Sequence, residues 1–213
     1  MMQIQGFVFN FASENTYILY NDETKKAWLF DPGNGAKQET DAIEKFITEN
    51  NLIIENILLT HAHIDHVMGL QWAFDTFKVP VKVHKEDQEI LDQFPASGLR
   101  FGMNLNPIKV EVEYVEEGDG LDFYGEKFKI YHVPGHSPGS VVYHNENHKF
   151  IISGDVLFEG SIGRTDLYKG NYEQLIEGIK TKLFVLDDDT QVFSGHGNPT
   201  QIGFEKQYNP FFK

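Results

Sequence analysis

The segment ILLTHAHIDH, residues 57–66, places three histidines and one aspartate within six consecutive positions. It continues the apolar run at residues 53–59 and precedes apolar residues at helical spacing over 67–77. This pattern predicts a strand, a ligand-rich loop and then a helix. Neutral imidazole and carboxylate bind zinc or a comparable divalent metal without sulfur, so a metal site is favoured over a surface loop that happens to be rich in histidine. The predicted ligands are His61, His63, Asp65 and His66.

Composition limits the chemistry. The chain has 213 residues, and we expect one domain over residues 1–213 with a core that buries about 70% of the unfolded surface. It contains no cysteine, which excludes disulfides, a thiol nucleophile and zinc sites that use sulfur. The net charge of -14 opposes nucleic acids and anionic membranes. We therefore expect a small-molecule substrate, and an anionic one needs a local positive group or the metal itself.

The N-terminal residues show no basic segment followed by an apolar one, and no apolar run approaches the roughly 18 residues of a membrane span. We expect a cytoplasmic protein with no membrane partner.

The remaining periodicity predicts alternating strands and helices. Strands are predicted at 3–11, 16–20, 27–30, 53–59 and 79–83, within 110–143, and before residues 155 and 195; helices are predicted around 42–47, over 67–77, 85–94 and 171–184. Residues 95–107 lack periodicity and are interpreted as a long loop, either a binding loop or a disordered connection. Phe101 and Met103 in this loop are candidates for an apolar substrate wall.

Asp31 follows a short apolar strand and opens the turn Asp-Pro-Gly. It is expected to form the turn, to accept a hydrogen bond from a ligand histidine and fix its tautomer, or to do both.

The arrangement of an apolar strand followed by a ligand recurs at His136, Asp155 and His196. Strand ends on one side of a sheet converge, so all seven side chains can complete two metal sites that share a carboxylate. The alternative is that only the first cluster binds metal. His84 lacks an obvious partner and is expected to be structural or exposed, His132 faces the core or the surface, and His144 and His148 are expected to be exposed.

These residues resemble the metallo-β-lactamase superfamily, whose hallmark is T-H-x-H-x-D-H followed by a later His, Asp and His. The resemblance runs from residue 15 to residue 197 and implies an α/β fold, a four-layer αββα sandwich made of two similar halves. It assigns the first metal to His61, His63 and His136, the second to Asp65, His66 and His196, and the bridge to Asp155.

Residues 160–166 (GSIGRTD) and 195–211 resemble the short glyoxalase II-like hydrolases, which lack the helical C-terminal domain of full-length glyoxalase II. That resemblance makes Arg164 the candidate anchor for a substrate carboxylate, a group that guanidinium grips bidentately. The alternative is an internal ion pair with Asp166.

The resemblance implies a thioester hydrolase with two divalent metal ions. We expect these ions to be zinc, with iron or manganese as the alternatives. Metals lower the pKa of a bound water to about 7 and give a hydroxide that attacks the carbonyl. Asp65 and Asp155 are the candidate catalytic residues. The expected substrate is an anionic acyl thiol such as S-D-lactoylglutathione.

Three rivals stay open. Persulfide dioxygenases share these motifs and the Gly-Arg-Thr-Asp sequence, and they use a single iron, here held by His61, His136 and Asp155. Lactonases and β-lactamases use the same ligands. A non-catalytic binding module has no need for the complete ligand set.

Overall fold

The computed structural model describes residues 1–213, and its internal contacts divide the chain into two compact units. The first unit contains Met1–Val83 and Gln88–Tyr114. The second contains His84–Asp87 and Val115–Lys213.

The first six-stranded sheet has the order β1-β2-β3-β4-β5-β6. Strand β4 pairs in parallel with both β3 and β5, whereas β1, β2 and β3 are antiparallel neighbours. Its strands are β1 (Met2–Phe9), β2 (Glu14–Asn21), β3 (Lys26–Phe30), β4 (Ile53–Leu58), β5 (Val81–His84) and β6 (Val112–Val115). The helices along this part of the chain are α1 (Lys37–Asn50), α2 (Leu70–Phe77), α3 (Gln88–Asp92) and α4 (Phe94–Arg100).

The core of the first unit lies where helices α1 and α2 pack on this sheet. Ile43 of α1 and Leu70 of α2 are fully buried in one cluster with Ile18, Leu29 and Ile57 from the strands. Strands β3 and β4 are parallel, so the Asp31 turn after β3 and the first candidate ligands after β4 follow strand ends at the same edge of the sheet.

The second six-stranded sheet has the order β14-β13-β10-β9-β8-β7, with β10 and β13 parallel. Its strands are β7 (Gly120–Phe123), β8 (Glu126–His132), β9 (Val141–Asn145), β10 (Phe150–Gly154), β13 (Gln191–Ser194) and β14 (Thr200–Gln201). A small hairpin comprises β11 (Leu157–Phe158) and β12 (Ser161–Ile162), and the helices are α5 (Tyr172–Gly178) and α6 (Ile202–Tyr208). Leu175 of α5 and Ile202 of α6 are fully buried against Ile151 and Val192 of the sheet.

Two predicted elements differ from the structure. The loop predicted over 95–107 is wrong in its first half, since α4 extends to Arg100. Pro95 lies in the first turn of α4, where its missing N–H is tolerated. The helix predicted over 171–184 changes at Ile179–Leu183 to a π-helical turn. No helix in the structure is both long and apolar enough to cross a membrane.

Candidate metal centre

The histidine loop has the predicted local structure. Strand β4 ends at Leu58, a 3-10 turn spans Ile64–His66, and α2 begins at Leu70. Ala62 and Ile64, which alternate with the ligand residues, are buried in the core of the first unit. Their burial holds the loop in one orientation, because turning a candidate ligand away from the site would also move its apolar neighbour out of the core.

Asp31 holds this loop through its carboxylate, which is buried and accepts three hydrogen bonds. Oδ1 accepts from the Thr60 backbone N–H at 2.7 Å, and Oδ2 accepts from the Thr60 hydroxyl at 2.6 Å. Oδ2 also lies 3.1 Å from Nδ1 of His66. A carboxylate only accepts, so Nδ1 of His66 carries the proton and Nε2 keeps its lone pair for a metal. The predicted hydrogen bond between Asp31 and a histidine of the candidate ligand set is confirmed.

Thr60 extends this control to a second histidine, a role the sequence analysis missed. Its hydroxyl proton is committed to Asp31, and its oxygen lies 3.1 Å from Nδ1 of His61. The oxygen can therefore only accept from His61, which leaves Nε2 of His61 unprotonated. One buried carboxylate thus sets the tautomers of two predicted ligands.

Glu14 is a second buried acid behind the loop, and sequence reasoning gave it no role. Its Oε2 accepts from the Thr16 hydroxyl at 2.9 Å, and its Oε1 lies 3.8 Å from Nδ1 of His66. Burial raises the pKa of the Glu14 carboxyl well above its ordinary value, although His66 opposes this shift. A Cβ at Gly33 would lie 2.0 Å from Oε2, so glycine is required there. The only sequence signal was an acid at the start of an apolar strand.

Asp65 is positioned through its main chain. The Asn10 amide donates to the Asp65 carbonyl at 2.8 Å and to the Gly33 carbonyl at 2.9 Å. This ties the turn between β1 and β2 to the histidine loop. The Asp65 carboxylate reaches within 3.9 Å of Nε2 of His66, as adjacent ligands of one ion can.

The second unit brings its three predicted ligands together. Nε2 of His136 and Nε2 of His196 each lie 3.4 Å from the same oxygen, Oδ2 of Asp155. Nδ1 of His136 donates to the Arg164 backbone carbonyl at 2.8 Å, which fixes the lone pair of His136 on Nε2. The sequence predicted a role for the Arg164 side chain but could not indicate this carbonyl.

The donor set fits a divalent metal. Lone pairs of imidazole and carboxylate that face one another repel unless a cation lies among them. Two ligand atoms about 2.1 Å from a tetrahedral zinc lie about 3.4 Å apart, which matches both separations at Asp155. Nitrogen and oxygen donors without sulfur also suit iron and manganese, so the geometry does not select one metal.

The predicted substrate residues have different surroundings. The Arg164 guanidinium forms a bidentate pair with Asp166 at 2.7 and 2.8 Å, and this pair lowers the pKa of Asp166 to about 2. Phe101 is 56% exposed, and its ring contacts that of Phe11 at an interplanar angle of 41°, with the centroids 4.9 Å apart. Met103 instead packs against the core of the first unit.

The remaining histidines confirm one expectation and correct another. His84 is buried, as expected for a structural histidine, and it stacks on His132 with the ring centroids 4.0 Å apart, a neighbour that the sequence did not indicate. His144 was expected to be exposed but is buried, and burial lowers its pKa. His148 is partly exposed beside Glu126.

Comparison with known proteins extends over almost the whole chain. Residues 10–196 match the family model of the metallo-beta-lactamase superfamily. Hydroxyacylglutathione hydrolase GloC of Haemophilus influenzae is 38% identical over 212 residues, which are 99% of this chain and 98% of the relative. The crystal structure of the BLEG-1 B3 metallo-beta-lactamase is 36% identical with a TM-score of 0.91, covering 99% of this chain and 100% of that one. TTHA1623, solved in a di-iron-bound form, is 31% identical with a TM-score of 0.86, covering 97% and 99%.

Proposed function

Because this chain belongs to the metallo-β-lactamase superfamily, we propose that it is a hydrolase with two metal ions that cleaves thioesters of small anionic thiols. The predicted α/β fold of that superfamily is confirmed, and the chain is a metal-dependent hydrolase. The thioester class rests on the likeness to a hydroxyacylglutathione hydrolase along 99% of the chain. The observation that carries the proposal is the convergence of two imidazoles on one oxygen of Asp155.

We assign all seven predicted ligands to one dinuclear centre. The shared contact of Oδ2 with two imidazoles supports Asp155 as the bridging carboxylate. The tautomers set by Asp31 and Thr60 support His61 and His66 as ligands through Nε2. The full assignment gives His61, His63 and His136 to the first ion, Asp65, His66 and His196 to the second, and Asp155 to both.

When bound, the ions supply an activated water at neutral pH and polarise the substrate carbonyl. In this reaction Asp65 accepts a hydrogen bond from the attacking water and orients it. Asn10 holds the Asp65 main chain, so the carboxylate is placed before substrate arrives. The departing thiolate, with a pKa of about 8.5 for an ordinary thiol, leaves without a protein acid.

The substrate contacts assigned to Arg164 and Phe101 follow from their exposure. The Arg164 pair with Asp166 lies at the surface, where ion pairs contribute little, so a substrate carboxylate can replace Asp166. Phe101 and Phe11 together offer two exposed aromatic faces, and Phe11 directly follows Asn10, which is bound to the histidine loop. We assign Met103 to the same apolar wall, at a position that packs against the core of the first unit.

The same experiment also tests two other activities, β-lactam hydrolysis and persulfide oxidation. The likeness to BLEG-1 favours β-lactam hydrolysis as the second candidate. Because TTHA1623 has been solved in a di-iron-bound form, iron is measured beside zinc in the metal analysis. A centre with a single iron would instead favour persulfide oxidation. The expected cytoplasmic location and the single-domain organisation stay predictions.

The test uses one preparation expressed with balanced metals. We expect two metal ions per chain by elemental analysis and thiol release from S-D-lactoylglutathione or another acyl thiol. His196→Asn should abolish turnover, whereas the matched control His148→Asn, at a partly exposed histidine, should not. The proposal fails if thiol release is absent while a chromogenic cephalosporin is cleaved, or if one iron accompanies rapid oxygen uptake on glutathione persulfide.

A further inference from the structure

The loop at residues 134–140 carries His136, and it is held by an acid outside the predicted ligand set. We propose that Asp87 is a positioning residue, which sets the place of His136 by anchoring this loop. The inference rests on the proposed function in one respect, namely that His136 is a metal ligand.

Asp87 ends the 3-10 turn Lys85–Asp87 and is fully buried. Its Oδ2 accepts from the Ser137 hydroxyl at 2.9 Å, and its Oδ1 accepts from the Gly139 backbone N–H at 2.6 Å. The two residues that it binds are the first and third after His136. Both carboxylate oxygens are therefore used to hold the chain immediately after the ligand.

A carboxylate at this position dictates the direction of a chain of hydrogen bonds. Ser137 donates its hydroxyl proton to Asp87, so the Ser137 oxygen accepts from Ser140, 2.8 Å away. The Ser140 oxygen in turn accepts from the Ser137 backbone N–H at 3.2 Å. The loop is thereby closed on itself as well as tied to Asp87.

The remaining contacts leave the loop little freedom. A Cβ at Gly139 would lie 2.7 Å from both the backbone N and Oδ1 of Asp87, so the close approach requires glycine. Nε2 of His132 donates to the Pro138 carbonyl at 2.7 Å, and the Asn171 N–H donates to the Gly135 carbonyl at 2.8 Å. With Arg164 holding Nδ1 of His136, both the backbone and the ring are fixed.

Metal binding is sensitive to this kind of anchoring. Ligand atoms must lie within about 0.2 Å of their ideal distances, and loss of outer contacts typically weakens metal affinity by about 10- to 100-fold. A loop released from Asp87 would let His136 move by more than this tolerance. Asp87 therefore acts on the metal through His136, without contact with the metal itself.

The experiment compares Asp87→Ala, Asp87→Asn and Ser137→Ala with Glu205→Gln as the matched control. Glu205 is an equally buried carboxylate of the second unit, and it accepts from Gly160, Thr200 and Asn209 rather than from the His136 loop. Zinc affinity is measured by chelator competition. The Nδ1–H resonance of His136 is followed by nitrogen-15 NMR in the metal-free protein.

We expect Asp87→Ala to weaken zinc binding about tenfold and to broaden or lose the His136 Nδ1–H signal. In Asp87→Asn we expect the zinc affinity and the His136 Nδ1–H signal to stay close to those of the wild type. The asparagine amide N–H can donate to the Ser137 hydroxyl, which then donates to Ser140, and the asparagine oxygen still accepts from the Gly139 N–H. Ser137→Ala removes only one of the two bonds and should be intermediate, and it decides the question if Asp87→Ala does not fold.

Unchanged zinc affinity and an unchanged His136 signal in Asp87→Ala or Ser137→Ala would overturn the proposal. An equal loss in Glu205→Gln would also overturn it, because the effect would then be general destabilisation. The NMR readout needs neither metal nor turnover. A wild type that binds zinc but cleaves no thioester would refute only the proposed function.

Discussion

Replacing Asp31 by asparagine should impair metal binding through a change of tautomer. The native carboxylate accepts from the Thr60 N–H, the Thr60 hydroxyl and Nδ1 of His66. In Asp31→Asn the amide oxygen can still accept from the Thr60 N–H, and the Thr60 hydroxyl can rotate. The new amide N–H group then faces Nδ1–H of His66, donor against donor. His66 avoids this by moving its proton to Nε2, the atom that we propose binds the metal.

The size of the effect follows from one hydrogen bond. Metal binding forces the proton of His66 back to Nδ1, where the charged acceptor is missing. A hydrogen bond to a charged group contributes about 1.5–3 kcal/mol, so zinc affinity should fall by about 10- to 150-fold. In the metal-free variant a neutral hydrogen bond from the amide replaces the bond to the charged oxygen, so its free energy of unfolding should fall by about 1 kcal/mol.

The assay is zinc competition with a chromophoric chelator at pH 7, together with nitrogen-15 NMR of the His66 ring in metal-free protein. Asp41→Asn is the control, because it makes the same acid-to-amide change at an exposed acid of α1 that pairs with Lys37. Zinc affinity within twofold of wild type in Asp31→Asn would refute the reasoning. So would a proton that stays on Nδ1 of His66 in that variant.

Three further predictions concern the second unit. Gly163→Ala would place a Cβ 1.9 Å from the Asp155 carbonyl oxygen, and it should lower the free energy of unfolding by about 1–3 kcal/mol in urea and weaken zinc binding; wild-type values for both would contradict this. His144 has a pKa lowered by burial, so the unfolded chain binds its proton more readily and wild-type stability should decrease as pH falls below about 6.5. His144→Gln should show a smaller decrease between pH 7.5 and 5, and equal slopes would exclude the role of His144. Arg164→Ala should raise the pKa of Asp166 from about 2 towards about 3.9, measured by NMR titration. The stabilisation by this pair is present above that ordinary pKa and is lost as pH falls towards 2, so an unchanged titration would show that Arg164 is not its cause.

The histidine loop could be predicted because its signal is local. Four candidate ligands lie within six positions between a strand and a helix, and the alternating Ala62 and Ile64 are apolar as burial requires. The loop predicted at 95–107 failed for a local reason too. Pro95 and Gly98 are usually helix breakers, but proline is tolerated in a first turn, and Gly98 allows α4 to approach Leu105 closely.

Contacts between distant segments could not be predicted in the same way. The partner of His136 is a backbone carbonyl, a group that every residue carries, so no residue type marks it. Asp87 lies 50 residues before Ser137, in a turn with no ligand pattern. His84 and His132 likewise stack although each is isolated in sequence.

The sequence by itself determined the donor chemistry, since it has no cysteine and its histidines and acids follow apolar strands in a pattern that implies the fold. Only the tertiary structure decided which imidazole nitrogen of His61, His66 and His136 is available. That choice depends on the acceptor facing Nδ1, which is Asp31 for His66, Thr60 for His61 and the Arg164 carbonyl for His136. A hydrogen bond acts over about 3 Å, and folding alone brings such partners within that range.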